Sequence, residues 1–142
     1  MSRRTGPSVM ELASQPVISV SSNASVGDAL SLMVKEGFRR LPVVDPSTGV
    51  LVGLITATDI IDFLGGGPRS KQMEEKYGGN IAEALGEPIS TISVREVISV
   101  GVDDSLDHAI SLMADKKIGG LPVVDDERRV WAIVTERDIV RA

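Results

Sequence analysis

The chain has 142 residues, 42% of them hydrophobic, which is enough for one packed domain or for two half-domains that share a core. A formal net charge of −5 and an aromatic content of 3% argue against a nucleic-acid binder, which needs clustered Lys and Arg and a stacking surface for bases. The chain has no cysteine, no apolar run of the roughly 18 residues that a membrane span needs and no secretory signal, so we expect a cytoplasmic protein without disulfides.

An internal duplication organises the sequence. Residues 16–45 align with residues 96–125 at a spacing of 80, and the stretches VISV, SLM and LPVVD occur in both copies. After one deletion the spacing becomes 79, which pairs Thr56 with Thr135 and Asp59 with Asp138. Two copies are too few for a solenoid, so the repeat predicts a closed pair with pseudo-two-fold symmetry.

In chain order, residues 7–13 have the spacing of a lead-in helix, and the β-branched VISV predicts a first strand. Ser25 and Ser105 are candidate N-caps of helices with apolar residues at i, i+3, i+4 and i+7. LPVVD predicts a second strand, residues 50–56 or 130–135 a third, and a second helix follows at once. Each copy therefore has the order strand, helix, strand, strand, helix, and the unbroken apolar strands favour an α/β fold.

Glycine and proline divide the chain into three parts. We expect residues 1–64 to contain the lead-in segment and the first copy, residues 65–90 a helical linker, and residues 91–142 the second copy. In the linker, SKQMEEKY predicts a polar helix, and NIAEAL predicts another with Asn80 as its N-cap.

The sequence Thr-x-x-Asp ends the third strand of each copy, in GLITATDI and AIVTERDI. One interpretation is a helix cap, because a threonine and an acid three residues later can satisfy each other's backbone N–H groups. The other is a binding site, because ligands and phosphates collect where strands end and free helix N–H groups begin. A carboxylate there could accept hydrogen bonds from both hydroxyls of a ribose. The two interpretations are compatible.

Two ordered sets of LPVVD and G/A-h-h-T-x-x-D (h, apolar), separated by a helical linker, resemble a CBS-domain pair, or Bateman module. The resemblance runs from about Pro16 to Ala142. It implies an α/β fold of tandem CBS motifs in a pseudo-two-fold pair that binds adenine nucleotides in clefts between the copies.

The resemblance also implies which residues bind. Asp59 and Asp138 would hold ribose hydroxyls, and Thr56 and Thr135 would contact ribose or phosphate. The first strands and the residues around the start of LPVV would wall the pockets. The implied set is Thr56, Thr58, Asp59, Thr135, Arg137, Asp138, Ile18, Ile98, Arg39, Arg40, Pro42, Gly119, Gly120 and Pro122.

Carried over by position, each cleft mixes the copies. One cleft takes Thr135, Arg137 and Asp138 with the first strand of copy one and with Arg39 and Arg40. The other takes Thr56, Thr58 and Asp59 with the first strand of copy two, Gly119 and Gly120. Three arginines could offer charge-assisted bonds to phosphate, so we expect the Asp138 cleft to be the better nucleotide site. The alternative is that Arg39 and Arg40 form only a solvated turn.

These features favour a non-catalytic sensor that binds an adenosine-containing ligand, forms a homodimer and signals to an unknown regulated protein. The alternative is a constitutive dimerisation or scaffold module with vestigial pockets, since DIIDFL has more apolar residues than a small core needs. An enzyme has little support, because no nucleophile, general base or metal-binding pair of acids stands out. His108, expected on an exposed first turn of a helix, is the only histidine, which excludes a His-based metal site.

Overall fold

Two compact units make up the fold. The computed structural model describes residues 7–13, 17–65, 78, 80–93, 95 and 97–141. The repeat-one unit comprises Ser19–Ser47 and Val52–Val97, and the repeat-two unit comprises Met1–Ile18, Thr48–Leu51 and Ile98–Ala142. The polar helix predicted for SKQMEEKY lies outside the described residues.

The first repeat has the predicted order of elements. They are β1 (Val20–Ser21), α1 (Val26–Glu36), β2 (Arg40–Val44), β3 (Leu51–Thr56) and α2 (Ala57–Gly65), and α3 (Ile81–Ala84) follows in the linker. The sheet order is β1-β2-β3, and β1 runs parallel to β2 with Val20 opposite Val43. The Asn80 side chain accepts the Glu83 N–H at 3.1 Å, so the predicted cap of α3 is confirmed.

The second repeat has the same order. Its elements are β4 (Val100–Gly101), α4 (Leu106–Lys116), β5 (Gly120–Val124), β6 (Val130–Thr135) and α5 (Glu136–Arg141). β4 is parallel to β5, and β6 is antiparallel to it, so the sheet is mixed. The predicted α/β class and the order strand, helix, strand, strand, helix in each copy are confirmed.

Local capping explains where the first helix of each copy begins. Ser25 and Asp28 form a capping box, in which each side chain accepts the other residue's backbone N–H at 3.1 Å. Ser105 caps α4 by accepting the His108 N–H at 3.1 Å. Both helices end at a residue with left-handed backbone, Gly37 (φ 72°) and Lys117 (φ 55°). The N-caps at Ser25 and Ser105 are those that the sequence predicts.

The first strands are shorter than VISV predicts. Pairing with β2 and β5 begins only at Val20 and Val100, so Ile18 and Ile98 precede the strands that they were expected to occupy. Propensity favours an extended chain over the whole stretch, but a ladder forms only where a partner strand lies alongside.

The segment before each copy packs on the other copy's unit. Residues 7–13, here called the strap, belong to the repeat-two unit and contain a 3-10 helix at Val9–Glu11 rather than the predicted lead-in helix. The Val9 N–H donates to the Asp104 carbonyl at 2.9 Å. In the repeat-one unit, the linker residue Ile89 donates in the same way to Ala24 at 3.0 Å.

The core of the repeat-two unit therefore includes a residue from before the first copy. Val9 is fully buried in a cluster with apolar side chains of β4, α4, β5 and β6. In the repeat-one unit, Ile89 and Ile92, from the segment before β4, are fully buried. Among the described residues, no helix is long and apolar enough to cross a membrane.

Candidate functional site

The Thr-x-x-Asp motif of the first copy lies where β3 passes into α2. The Thr56 N–H donates to Oδ2 of Asp59 at 2.9 Å, and the Asp59 N–H donates to Oγ1 of Thr56 at 3.1 Å. Asp59 is 9% exposed, an unusually low value for a carboxylate. The cap holds this buried acid at the end of the strand.

The second copy repeats this arrangement where β6 meets α5. Oδ2 of Asp138 accepts the Thr135 N–H at 2.8 Å and the Thr135 hydroxyl at 3.1 Å. The Asp138 N–H donates to Oγ1 of Thr135 at 3.3 Å. Asp138 is half-buried. The capping interpretation is therefore confirmed in both copies, and it leaves the binding interpretation open.

The residues before LPVVD lie beside these strand ends. The Ala57 N–H donates to the Arg39 carbonyl at 2.8 Å, and the Glu136 N–H donates to the Gly119 carbonyl at 3.0 Å. Gly120 stands opposite Thr135 in the sheet. Within the repeat-one unit, Arg39 thus adjoins the Thr56 end, and in the repeat-two unit the glycines adjoin the Thr135 end.

These contacts change one step of the sequence argument. That argument expected free N–H groups in the first turn of the helix, but the amides of Ala57 and Asp59 are both engaged within the chain. The same is true of Glu136 and Asp138. Two first-turn amides of each helix therefore already have partners within the chain.

The remaining predicted residues differ in exposure and position. Thr58 is exposed on α2, and Pro42 and Pro122 are buried in β2 and β5. Ile98 is 37% exposed, and Ile18 is half-buried. Although Ile18 comes from the first copy's sequence, it belongs to the repeat-two unit together with Thr135 and Asp138.

Arginine is distributed unequally between the two motifs. Arg137, in the first turn of α5, is exposed and its side chain makes no hydrogen bond or ion pair with the described part of the chain. The equivalent position in α2 is the uncharged Thr58. The Arg39 side chain is likewise exposed and unpaired in the described part, whereas Arg40, the first residue of β2, has a partner.

Sequence reasoning missed a polar cluster in the turn between β5 and β6. Asp125 accepts the backbone N–H groups of Glu127 and Arg129, the Arg129 side chain at 2.9 Å and the indole N–H of Trp131 at 2.8 Å. The Trp131 hydrogen bond is the largest cause of a pKa lowered from 3.8 to about 2, and the bonds from Arg129 and Glu127 lower it further. Trp131, 51% exposed, is not in the core.

The family follows from a comparison of the sequence with known domains. A sequence profile of the CBS domain matches residues 9–66 and again residues 89–142, which together are most of the chain. The chain belongs to the CBS-domain family. The two CBS matches coincide with the two copies of the repeat. Each match also includes the 3-10 segment that precedes its copy, Val9–Glu11 or Ile89–Thr91.

This CBS pair is 36% identical to protein MJ1225 of Methanocaldococcus jannaschii over 135 aligned residues. The alignment covers 94% of this chain and 48% of the relative. The crystal structure of MJ1225, a proposed archaeal homolog of g-AMPK, matches with a TM-score of 0.90 over 94% of this chain and 49% of that one. The chain spans about half or less of the length of three curated relatives that it matches.

Two further CBS structures contain adenosine derivatives. The CBS pair of protein MJ0100, solved with 5′-methylthioadenosine and S-adenosyl-L-methionine, is 34% identical with a TM-score of 0.72, covering 94% of this chain and 93% of that one. CBSX2 of Arabidopsis thaliana, solved with AMP, is 25% identical with a TM-score of 0.77, covering 96% and 95%. Structural relatives of this CBS pair therefore bind AMP or S-adenosylmethionine.

Proposed function

We propose that this CBS pair is a non-catalytic regulatory module that binds an adenosine-containing ligand and signals its presence to a partner protein. The observation that carries the proposal is the duplicated strand end, where Asp59 and Asp138 are each held by a threonine in the same geometry. The AMP and S-adenosylmethionine complexes of related CBS pairs support the choice of ligand class.

The cap prepares the carboxylate for a ribose. Oδ2 of each aspartate already accepts the threonine N–H, which fixes the orientation of the side chain. An ionised carboxylate has about four acceptor positions, so it can cap the helix and also accept ribose hydroxyls. Hydrogen bonds to a charged acceptor are stronger than neutral ones, which suits a site that recognises a sugar through few groups.

The two motifs should differ in their preference for phosphate. Arg137 stands next to Asp138 in the chain and has an unpaired guanidinium in the described structure, whereas Thr58 stands next to Asp59. A guanidinium binds phosphate oxygens bidentately, and this adds both energy and geometric selectivity. Arg39 adjoins the Thr56 end within the repeat-one unit, so the preference for AMP or ATP that we propose for the Asp138 motif rests on Arg137.

Isothermal titration with AMP, ATP and S-adenosylmethionine tests the proposal. The matched control is Asp28→Ala, which removes the acid of a capping box with the same geometry at the start of α1. We expect at least one ligand to bind with micromolar affinity. Asp59→Ala or Asp138→Ala should weaken this binding tenfold or more, a loss of roughly 1.4 kcal/mol, whereas Asp28→Ala should leave it unchanged. Binding that survives in the double variant of Asp59 and Asp138 would refute it.

Exposed apolar residues support a second candidate function, a constitutive dimerisation module. Ile61 on α2 is 66% exposed, and Val140, at the equivalent position of α5, is 84% exposed. A contiguous exposed apolar patch marks an interaction site, and we infer that Ile61 and Val140 each contribute to one. In sedimentation at increasing concentration, Ile61→Lys and Val140→Lys should each shift a dimer toward monomer, and Val52→Lys, at an exposed strand position, should not.

A further inference from the structure

Trp131 gives the repeat-two unit an exposed aromatic side chain that is held in place. It is 51% exposed, and its indole N–H donates to Oδ2 of Asp125 at 2.8 Å. The Asp125 carboxylate is itself oriented by the backbone N–H groups of Glu127 and Arg129. Because the indole N–H is the only polar group of the ring and already has a partner, the exposed part of the ring is apolar carbon.

The first copy has a smaller side chain at the matching position. Val52 stands there in β3, and Asp45, which matches Asp125, accepts the Ser47 N–H at 2.7 Å instead of an indole. An aromatic ring that is already oriented loses little conformational entropy when another molecule covers it. Tryptophan and arginine are also the residues that most often dominate the binding energy of protein interfaces.

The turn between β5 and β6 carries two charges that are not used within the described part of the chain. Asp126 and Arg128 are both exposed, and neither side chain has a hydrogen bond or ion pair there. The other charged residues of the turn are engaged, since Arg129 donates to Asp125 at 2.9 Å and to Glu127 at 3.1 Å. One free anion and one free cation thus accompany the exposed ring.

Arg128 stands in a backbone conformation that favours glycine. Its φ is 62°, and the matching residue of the first copy is Gly49, with φ 78°. Left-handed backbone is strained for a residue with a Cβ atom, and strain that persists on a surface raises the question of what the side chain does. Since the guanidinium has no partner among the described residues, a contact beyond them would account for the arginine.

We propose that the patch formed by Trp131, Asp126 and Arg128 binds the same patch of a second copy of the chain. A two-fold contact places a surface against itself, so the surface must complement its own charges. This patch does so, because Arg128 of each copy can pair with Asp126 of the other while the two rings cover one another. Free charges of one sign only would make the patch repel its copy.

The association is expected to be weak. A tryptophan side chain buries about 150–250 Å² when fully covered, and nearly half of Trp131 is already covered within the chain. A stable interface buries roughly 800 Å² per partner, so this contact forms a dimer only at high protein concentration. It is separate from the contact proposed for Ile61 and Val140, and it does not depend on ligand binding.

Sedimentation of the full chain from micromolar to millimolar concentration tests the contact. We expect the natural protein to dimerise as its concentration rises, and the emission of Trp131, the only tryptophan, to shift to shorter wavelength. Asp126→Arg and Arg128→Asp should each weaken the association at least about tenfold, because each places two like-charge pairs in the interface. Trp131→Val, which introduces the residue of the first copy, should weaken it as well.

A mixture of the two charge variants separates this contact from a general effect of charge. Asp126→Arg and Arg128→Asp should form a heterodimer when mixed, because opposite charges then face each other at both pairs. Asp115→Arg changes the net charge as much as Asp126→Arg does, at an exposed position of α4, and should leave the association unchanged.

Three results would overturn the proposal. One is a mixture that associates no better than either variant alone, and another is equal weakening by Asp115→Arg. The third is a natural protein that stays monomeric at every concentration, which would leave the patch to a different protein.

Discussion

Gly49 and Arg128 occupy equivalent turns of the two copies, and both have left-handed backbone, with φ values of 78° and 62°. Each carbonyl accepts a hydrogen bond from the other copy's third strand. The Leu51 N–H donates to Arg128 at 2.8 Å, and the Val130 N–H donates to Gly49 at 3.3 Å. Both bonds lie within the repeat-two unit, which includes Thr48–Leu51. The turn of the first copy is thereby an integral part of that unit.

The first prediction concerns the strain at Arg128. Left-handed backbone raises the free energy of a residue with a Cβ atom by about 1–2 kcal/mol. Glycine has no such penalty, although it loses more entropy on folding. We expect Arg128→Gly to stabilise the protein by about 0.5–1 kcal/mol, measured as the free energy of unfolding in urea. The reciprocal variant, Gly49→Ala, should destabilise it. Destabilisation by Arg128→Gly would mean that the arginine side chain contributes more than its backbone costs.

The second prediction concerns Asp125 and pH. Its pKa in the folded state, about 2, lies below the ordinary value of 3.8, chiefly because the Trp131 indole donates to the carboxylate. A lowered carboxylate pKa stabilises the fold fully above the unfolded pKa, and this stabilisation is lost as the pH falls through the folded pKa. The difference in free energy of unfolding between the natural protein and Asp125→Asn should therefore be constant above about pH 5. It should shrink below pH 3.8 and vanish near pH 2.

Trp131 is the only tryptophan, so its fluorescence reports directly on this turn during the titration. The control variant is Asp126→Asn, which removes an exposed acid from the same turn without touching the cluster. A gap that stays unchanged down to pH 2 would contradict the assignment of the stabilisation to the Asp125 carboxylate.

The third prediction tests the strap as part of the core. Val9 is fully buried, and truncating it to alanine removes two methyl groups from a packed cluster. We expect Val9→Ala to lower the free energy of unfolding by about 2 kcal/mol. Val34→Ala is the same chemical change at a site that is 76% exposed, and it should alter stability by less than about 0.5 kcal/mol. Equal effects of the two variants would show that the strap contributes no core packing.

The fourth prediction separates capping from shape at Thr135. The hydroxyl of Thr135 accepts the Asp138 N–H and donates to the Asp138 carboxylate. Thr135→Val keeps the shape but removes the cap, and should cost about 1 kcal/mol of stability. Thr135→Ser keeps the hydroxyl and should cost less. Thermal unfolding of both variants measures the difference, and a serine variant as unstable as the valine variant would argue against a capping role.

The repeat, the α/β order of elements and the helix caps are all readable from the printed sequence. Ser25 with Asp28, and Thr135 with Asp138, stand three residues apart, so their hydrogen bonds form within one turn of chain and leave a local signature. The CBS motifs were recognisable for the same reason, since each is a short contiguous pattern.

Contacts between distant residues were decided only by the tertiary structure. No periodicity links Val9 to Asp104 or Gly49 to Val130, because the alignment of the two copies says which residues are alike and not which ones pack together. VISV likewise has strand propensity throughout, but only Val20 and Val100 and the residues after them find a partner strand. Propensity and caps act over a few residues of chain. The strap, the hydrogen bonds at the Gly49 and Arg128 turns and the occupied first-turn amides depend instead on which distant segments pack together.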